Sequence, residues 1–222
     1  MAFRRHLARR IVRACALDAS SRVLSAGCGL GDTELLLAPH VREILGIDIA
    51  GAGIQAARAA AARQRMANIR FEAALLDDLP EEPAFDAIIA IFFLHHLPDE
   101  ELKAAPARLA RLLKPGGRFY AIDPSVNRLS GKVGRLLFPK LMAKYQTEDE
   151  RELPLEEVAK LFESAGFRVR GGYYDFGSTP LAGLLPGWAA GYRVARLAGD
   201  ALIRIPGIRR WGSNFELLAQ RP

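Results

Sequence analysis

The chain has 222 residues, half of them hydrophobic, and a formal net charge of +6. That length supports a single α/β domain over 1–222 with a real core and leaves too little for two full domains. Two cysteines, Cys15 and Cys28, exclude a disulfide framework and a cysteine-built zinc site, and no run of about 18 apolar residues offers a membrane span.

The excess of positive charge sits towards the two ends, in Arg4, Arg5, Arg9, Arg10 and Arg13 and again in Arg193, Arg196, Arg204, Arg209 and Arg210. Such ends suit anionic lipid, nucleic acid or an acidic partner, or simply keep the protein in solution. The first arginines are not followed by a long apolar stretch, so no secretory signal is expected. Two free thiols fit a reducing, cytoplasmic location, with the inner membrane face as the alternative.

In chain order, Phe3, Leu7, Ile11, Val12 and Ala14 recur at helical spacing among arginines, predicting an amphipathic helix within 1–18. Strands are predicted at 22–26, 43–48, 69–73, 85–91 and 118–123, separated by helices at 33–38, 52–65 and 99–113. The run FDAIIAI (85–91) is continuously apolar after Asp86, which suits a strand buried on both faces. Glu100 and Glu101 at the start of the helix over 99–113 and Lys114 at its end suit the helix dipole, and Pro115-Gly116-Gly117 stops it. This alternation predicts a doubly wound, seven-stranded, mostly parallel sheet with right-handed crossovers. The rhythm then changes: 129–145 reads as an inserted helical segment, 155–165 as a helix closed by Gly166, and 167–174 and 214–220 as strands. Residues 126–150 and 179–211 are expected to be insertions on the substrate side or lids.

The chemistry-bearing stretch is Gly27-Cys28-Gly29-Leu30-Gly31, a loop leaving the first strand and entering a helix. Glycine permits a positive φ in such a turn and lets a ligand approach the backbone. Asp48, at the tip of the second strand, can accept hydrogen bonds from both hydroxyls of a ribose, or cap the helix that follows. Loop and acid together indicate a nucleoside-containing cofactor. Asp32 stands where a dinucleotide loop has its third glycine, and an acid there repels a pyrophosphate while tolerating a sulfonium.

VLSAGCGLGDTELLLA, GIDIA, FDAIIAIFFLHHLPDEE and LLKPGGRFYAID, in that order, resemble the class I S-adenosylmethionine-dependent methyltransferases of the group that includes quinone-biosynthesis enzymes. The likeness covers about 20–125, and FESAGF (162–167) extends it. It implies a Rossmann-like methyltransferase fold with S-adenosylmethionine as cofactor and S-adenosylhomocysteine as product. It further implies that Gly27, Gly29 and Gly31 line the methionine portion, Asp48 the ribose and Ile49 one face of adenine. Asp77 would lie near the adenine, and Ile91 close to the methyl-bearing sulfur. The chain departs from the pattern twice: Ser25 and Leu75 stand where the family usually has acids.

Methyl transfer chiefly needs the acceptor aligned with the departing sulfur, and an oxygen or acidic carbon acceptor also needs a base. His96, and next to it His95, are the candidates, since an unperturbed imidazole titrates near pH ~6.5; FLHHLP also reads as a structural turn. Tyr120, Asp123 and Tyr145 follow. The segments rich in Leu, aromatics and Arg, 129–147 and 179–211, point to a small, apolar or lipid-linked acceptor, with peripheral membrane contact as one reading and ordinary packing helices as the other. No RNA-binding module accompanies the basic residues, so nucleic acid is the weaker partner. Two alternatives stay open: a non-catalytic, methyltransferase-like accessory protein, and a nicotinamide-dependent oxidoreductase.

Overall fold

Strand β4 (Phe85–Ile91) shows how the sequence dictates position. Alternate side chains of a strand point to opposite faces, so a strand that after Asp86 is apolar on both faces must be covered on both. Ala87, Ile89 and Ile91 join one apolar core, and Ile88 and Ala90 the other. The computed structural model describes residues 2–129, 131, 136, 153–185 and 187–222.

β4 lies at the centre of a seven-stranded sheet. It pairs in parallel with β1 (Arg22–Ala26) on one side and β5 (Leu113–Pro124) on the other. β2 (Glu43–Asp48) and β3 (Ile69–Ala73) continue beyond β1, also in parallel. Beyond β5, β7 (Asn214–Gln220) runs antiparallel to both its neighbours, so β6 (Arg168–Tyr174) forms the sheet edge. The predicted seven-stranded, mostly parallel sheet is therefore present, with β7 as the reversed strand.

One face is covered by α1 (Ala2–Cys15), the short α2 (Glu34–Leu37) and α3 (Gly51–Arg63). The apolar stripe of α1 buries Phe3, Leu7, Ile11 and Cys15, and Arg118 donates from β5 to the carbonyl of Ala14 at 3.0 Å, satisfying an end group of that helix. α4 (Asp99–Leu112) and α5 (Leu155–Ser164) cover the other face through Leu102, Leu109, Val158 and Phe162. Phe162 stacks on Phe119 with ring centroids 4.8 Å apart. α6 (Ser178–Leu184) and α7 (Ala189–Ile203) pack together beside α1. The helical segment expected over 129–145, and with it Tyr145, lies almost entirely outside the described residues.

The largest local difference from the sequence expectation is at β5. Leu113 already pairs with Phe85, and the register then shifts before Ala87 meets Arg118. Pro115-Gly116-Gly117 ends the helix as expected but does so inside an irregular strand start, with Gly116 in the left-handed region.

Candidate functional site

In an open α/β sheet the ligand site is the crevice beyond the carboxyl ends of the strands where strand order reverses. Here the order reverses between β1 and β4, and a cleft of about 980 Å³ opens there. Its lining comes from the ends of four strands: Ala26 and Gly27 after β1, Asp48 and Ile49 at β2, Ala74 after β3, and Phe92 and Phe93 after β4.

The glycine loop and Asp48 form one unit. Asp48 accepts the backbone N–H of Gly29 on one carboxylate oxygen and that of Ala50 on the other, each at 2.8 Å. It thus ties the loop to Ala50, the residue before α3, without capping that helix, whose N-cap is Ala50 with no side-chain bond to its first turn. Each oxygen keeps a further lone pair, so the ribose role is compatible with it. Gly29 has φ +52° and nothing within 4 Å of where a Cβ would stand, so its backbone is open to a ligand.

The candidate residues divide by position. Gly27, Gly29, Asp48, Ile49, Asp77 and His96 line the cleft. Ile49 is 76% exposed on the wall of the cleft, an apolar side chain left uncovered there. Asp77 pairs with Arg108 of α4 at 2.8 Å. Gly31 lies behind the lining, its α-carbon under the ring of Phe71. Ile91 is buried in the core beneath Phe92 and Phe93. His95 is buried too, its Nδ1 2.7 Å from an oxygen of Asp123, because the helical turn Leu94–His96 sends consecutive side chains in different directions. Tyr120 is buried elsewhere, donating to Glu216 at 3.0 Å.

Asp123 is fully buried, and burial pushes its carboxyl above the usual range, against the opposing pull of His95. The His95 ring in turn lies 4.0 Å, centroid to centroid, from that of His96. A fixed Asp123–His95 pair therefore backs the imidazole that reaches the cleft.

The two departures from the family pattern have distinct outcomes. Leu75 is 53% exposed and simply makes that wall apolar. Ser25 is buried and donates its hydroxyl to the buried carboxyl of Glu34 at 2.6 Å, so an acid reaches this place from α2. Burial raises the Glu34 carboxyl above its ordinary range. A group whose folded-state value is raised stabilises most at low pH and loses that contribution as pH rises through the folded value. Glu34→Gln keeps an acceptor for Ser25 without a charge, so it should raise the melting temperature at pH 8 and leave it near wild type at pH 5. Melting curves shifted equally at both pH values would contradict this.

Residues not singled out from sequence also line the cleft, notably Phe93, Leu97, Glu101, Ala105 and Arg108. Glu101, Ala105 and Arg108 follow helical spacing on one face of α4, a signal present in the sequence once α4 is known to overhang the cleft.

Comparison with known proteins agrees with this geometry. Residues 23–117 match a family described as a methyltransferase domain. The chain is 32% identical over 114 residues to an uncharacterized methyltransferase, YcgJ, of Bacillus subtilis, covering 51% of this chain and 44% of that protein. It is 34% identical over 109 residues to a ubiquinone biosynthesis O-methyltransferase of Alkalilimnicola ehrlichii, covering 48% and 42% of the two. The chain spans about half the length of the curated relatives it matches. The crystal structure of the YcgJ protein superposes with a TM-score of 0.66 over 97% of this chain and 98% of that one at 22% identity, a likeness of fold.

Proposed function

We propose that this chain, which resembles methyltransferases over residues 23–117, is a class I S-adenosylmethionine-dependent methyltransferase that transfers a methyl group to a small, apolar or lipid-linked acceptor at oxygen or carbon. The observation that carries the reading is the cleft at the β1–β4 switch, lined together by the Asp48 carboxylate, the exposed Ile49 and His96.

The residues present fit that cofactor. The backbone at Gly27 and Gly29 borders its methionine portion, Asp48 takes the ribose hydroxyls, Ile49 covers the adenine, and Asp77, held by Arg108, closes the adenine side. Gly31 and Ile91 support the wall from behind. When bound, the sulfonium cofactor supplies an electrophilic methyl: the acceptor atom bonds to the methyl carbon as the carbon–sulfur bond breaks and its electron pair stays on sulfur. His96 accepts the proton that the acceptor loses, and the Asp123–His95 pair fixes its position. Phe92, Phe93 and Leu97 exclude water from the reacting end.

The apolar acceptor is inferred from α6 and α7. Leu184, Trp188, Val194 and Leu197 are exposed there, and Arg193, Arg204, Arg209 and Arg210 lie close in sequence. Apolar groups beside cations suit a lipid surface or a lipid-linked substrate lying along it. Among the described residues no helix is long and apolar enough to cross a membrane.

The test supplies the protein with radiolabelled S-adenosylmethionine and a lipid extract presented in anionic vesicles. Label should enter the organic phase, and His96→Gln should lower the rate by roughly 100-fold or more while retaining affinity for S-adenosylhomocysteine. Label transferred only to water-soluble acceptors would remove the lipid reading. A His96→Gln rate equal to wild type would remove the base.

A further inference from the structure

A second cleft, of about 710 Å³, lies on the flank of the sheet and shares no lining residue with the first. Its floor is the β6–β7 edge at Gly171, Gly172 and Leu218, one wall is the polar side of α1, and the other comes from α7. Five arginines line it, Arg9, Arg10, Arg13, Arg170 and Arg196, against the carboxylates of Asp200 and Glu216.

The charges are arranged unevenly. Arg10 makes a two-pronged contact with Glu216, which also receives the Tyr120 hydroxyl, and its guanidinium lies over the Tyr174 ring at 4.9 Å. Arg196 pairs with Asp200 one turn along α7. Both carboxylates are thereby engaged. Arg9, Arg13 and Arg170 line the same cleft and make no ion pair among the described residues, Arg9 donating only to the backbone carbonyl of Arg5 at 3.4 Å. Arg9 and Arg13 are also four residues apart on one helix, a like-charge spacing that weakens an isolated helix. Three exposed cations around one cleft raise the local positive potential, which favours an anion there.

An independent observation lies at the back of the cleft. His6 Nε2 is buried without a hydrogen-bond partner, although its ring is held parallel to that of Tyr174, with centroids 6.1 Å apart. A buried polar atom left unpaired is costly and normally marks a missing partner.

We propose that this cleft is a binding site for a compact, phosphate-bearing anion, held by Arg9, Arg13 and Arg170 with His6 at its inner end. Guanidinium groups match phosphate oxygens through paired N–H donors, and a concave site of this volume suits a small molecule rather than an extended polymer. Burial, with Arg196 and Arg10 nearby, pushes His6 down to about 4, so at neutral pH it is uncharged and does not add to the crowd of cations. The phosphate comes either as a free small molecule or as a lipid headgroup. The site depends on none of the residues assigned to methyl transfer.

The experiment titrates inorganic pyrophosphate into the whole protein and into Arg13→Glu/Arg170→Glu. Both side chains are exposed, so the double variant should fold, and circular dichroism with retained S-adenosylhomocysteine binding checks that it does. Saturable binding by wild type, weakened at least about tenfold in the variant, supports the site with a free ligand. If pyrophosphate does not bind, phosphatidylglycerol vesicles that retain wild type, compared with phosphatidylcholine vesicles, and lose the variant support it with a headgroup. Binding in either arm that is indifferent to the two substitutions, or absent from both arms, overturns the proposal.

Discussion

Replacing Asp48 with alanine should weaken S-adenosylhomocysteine binding by roughly 100-fold or more. Hydrogen bonds to a charged group contribute about 1.5–3 kcal/mol each, and two ribose hydroxyls would be lost together, which converts to that factor or more. The same carboxylate receives the N–H groups of Gly29 and Ala50, so its loss also frees the glycine loop at the cleft. Asp48→Asn should not restore binding, because an amide group presents a donor to one of two backbone donors that both need an acceptor. Asp77→Asn is the contrast. Asp77 is about half exposed and already paired with Arg108, so its substitution should weaken binding less than about tenfold. Isothermal titration separates these outcomes, and an Asp77 effect equal to that of Asp48 would contradict the assigned division of roles.

Gly31→Ala should cost about 3 kcal/mol of folding stability, a large share of the roughly 5–15 kcal/mol usual for a domain. Gly31 has φ +73°, and a Cβ there would stand 2.5 Å from Cζ of Phe71 and 3.1 Å from the Cβ of Ala57. The left-handed conformation costs a non-glycine residue about 1–2 kcal/mol, and overpacking a core site adds about 1–3 kcal/mol. Gly29→Ala supplies the control. Its φ is +52° but no atom lies within 4 Å of the new Cβ, so only the conformational cost of about 1–2 kcal/mol applies. That methyl would face the cleft, so the ligand should feel it more than the fold does. Urea unfolding should thus rank Gly31→Ala well below Gly29→Ala. Equal stabilities would mean that Gly31 is not the packing position the structure describes.

Both results turn on a distinction that the sequence cannot make. Gly27, Gly29 and Gly31 are alike as letters, and only placement beneath Phe71 or beside the open cleft separates structural from ligand-facing positions. The strands were legible because their cause is local: β1, β2, β3, β4 and β7 have the bounds expected from their sequence pattern. The reversed direction of β7 was not, since its antiparallel pairing with β5 and β6 depends on contacts distant in the chain. In the site, Asp48 was legible from its place at a strand tip and Ile49 through the family resemblance, and both line the cleft. Arg108 and Glu101 were not, because their relevance arises only when α4 is laid over the sheet. His95 and His96 are adjacent, and a tight helical turn sends one to Asp123 and the other to the cleft. Glu34 illustrates the same limit: nothing local to Ser25 tells that a carboxyl nine residues later returns to it.

The central claim is that the cleft at the β1–β4 switch holds S-adenosylmethionine and its demethylated product. Isothermal titration of S-adenosylhomocysteine into the intact chain tests it most directly. The predicted result is saturable binding at one site per chain, lost on Asp48→Ala and retained on Arg13→Glu/Arg170→Glu. A folded wild-type protein that shows no heat of binding up to millimolar ligand, or that binds equally well without the Asp48 carboxylate, would contradict it.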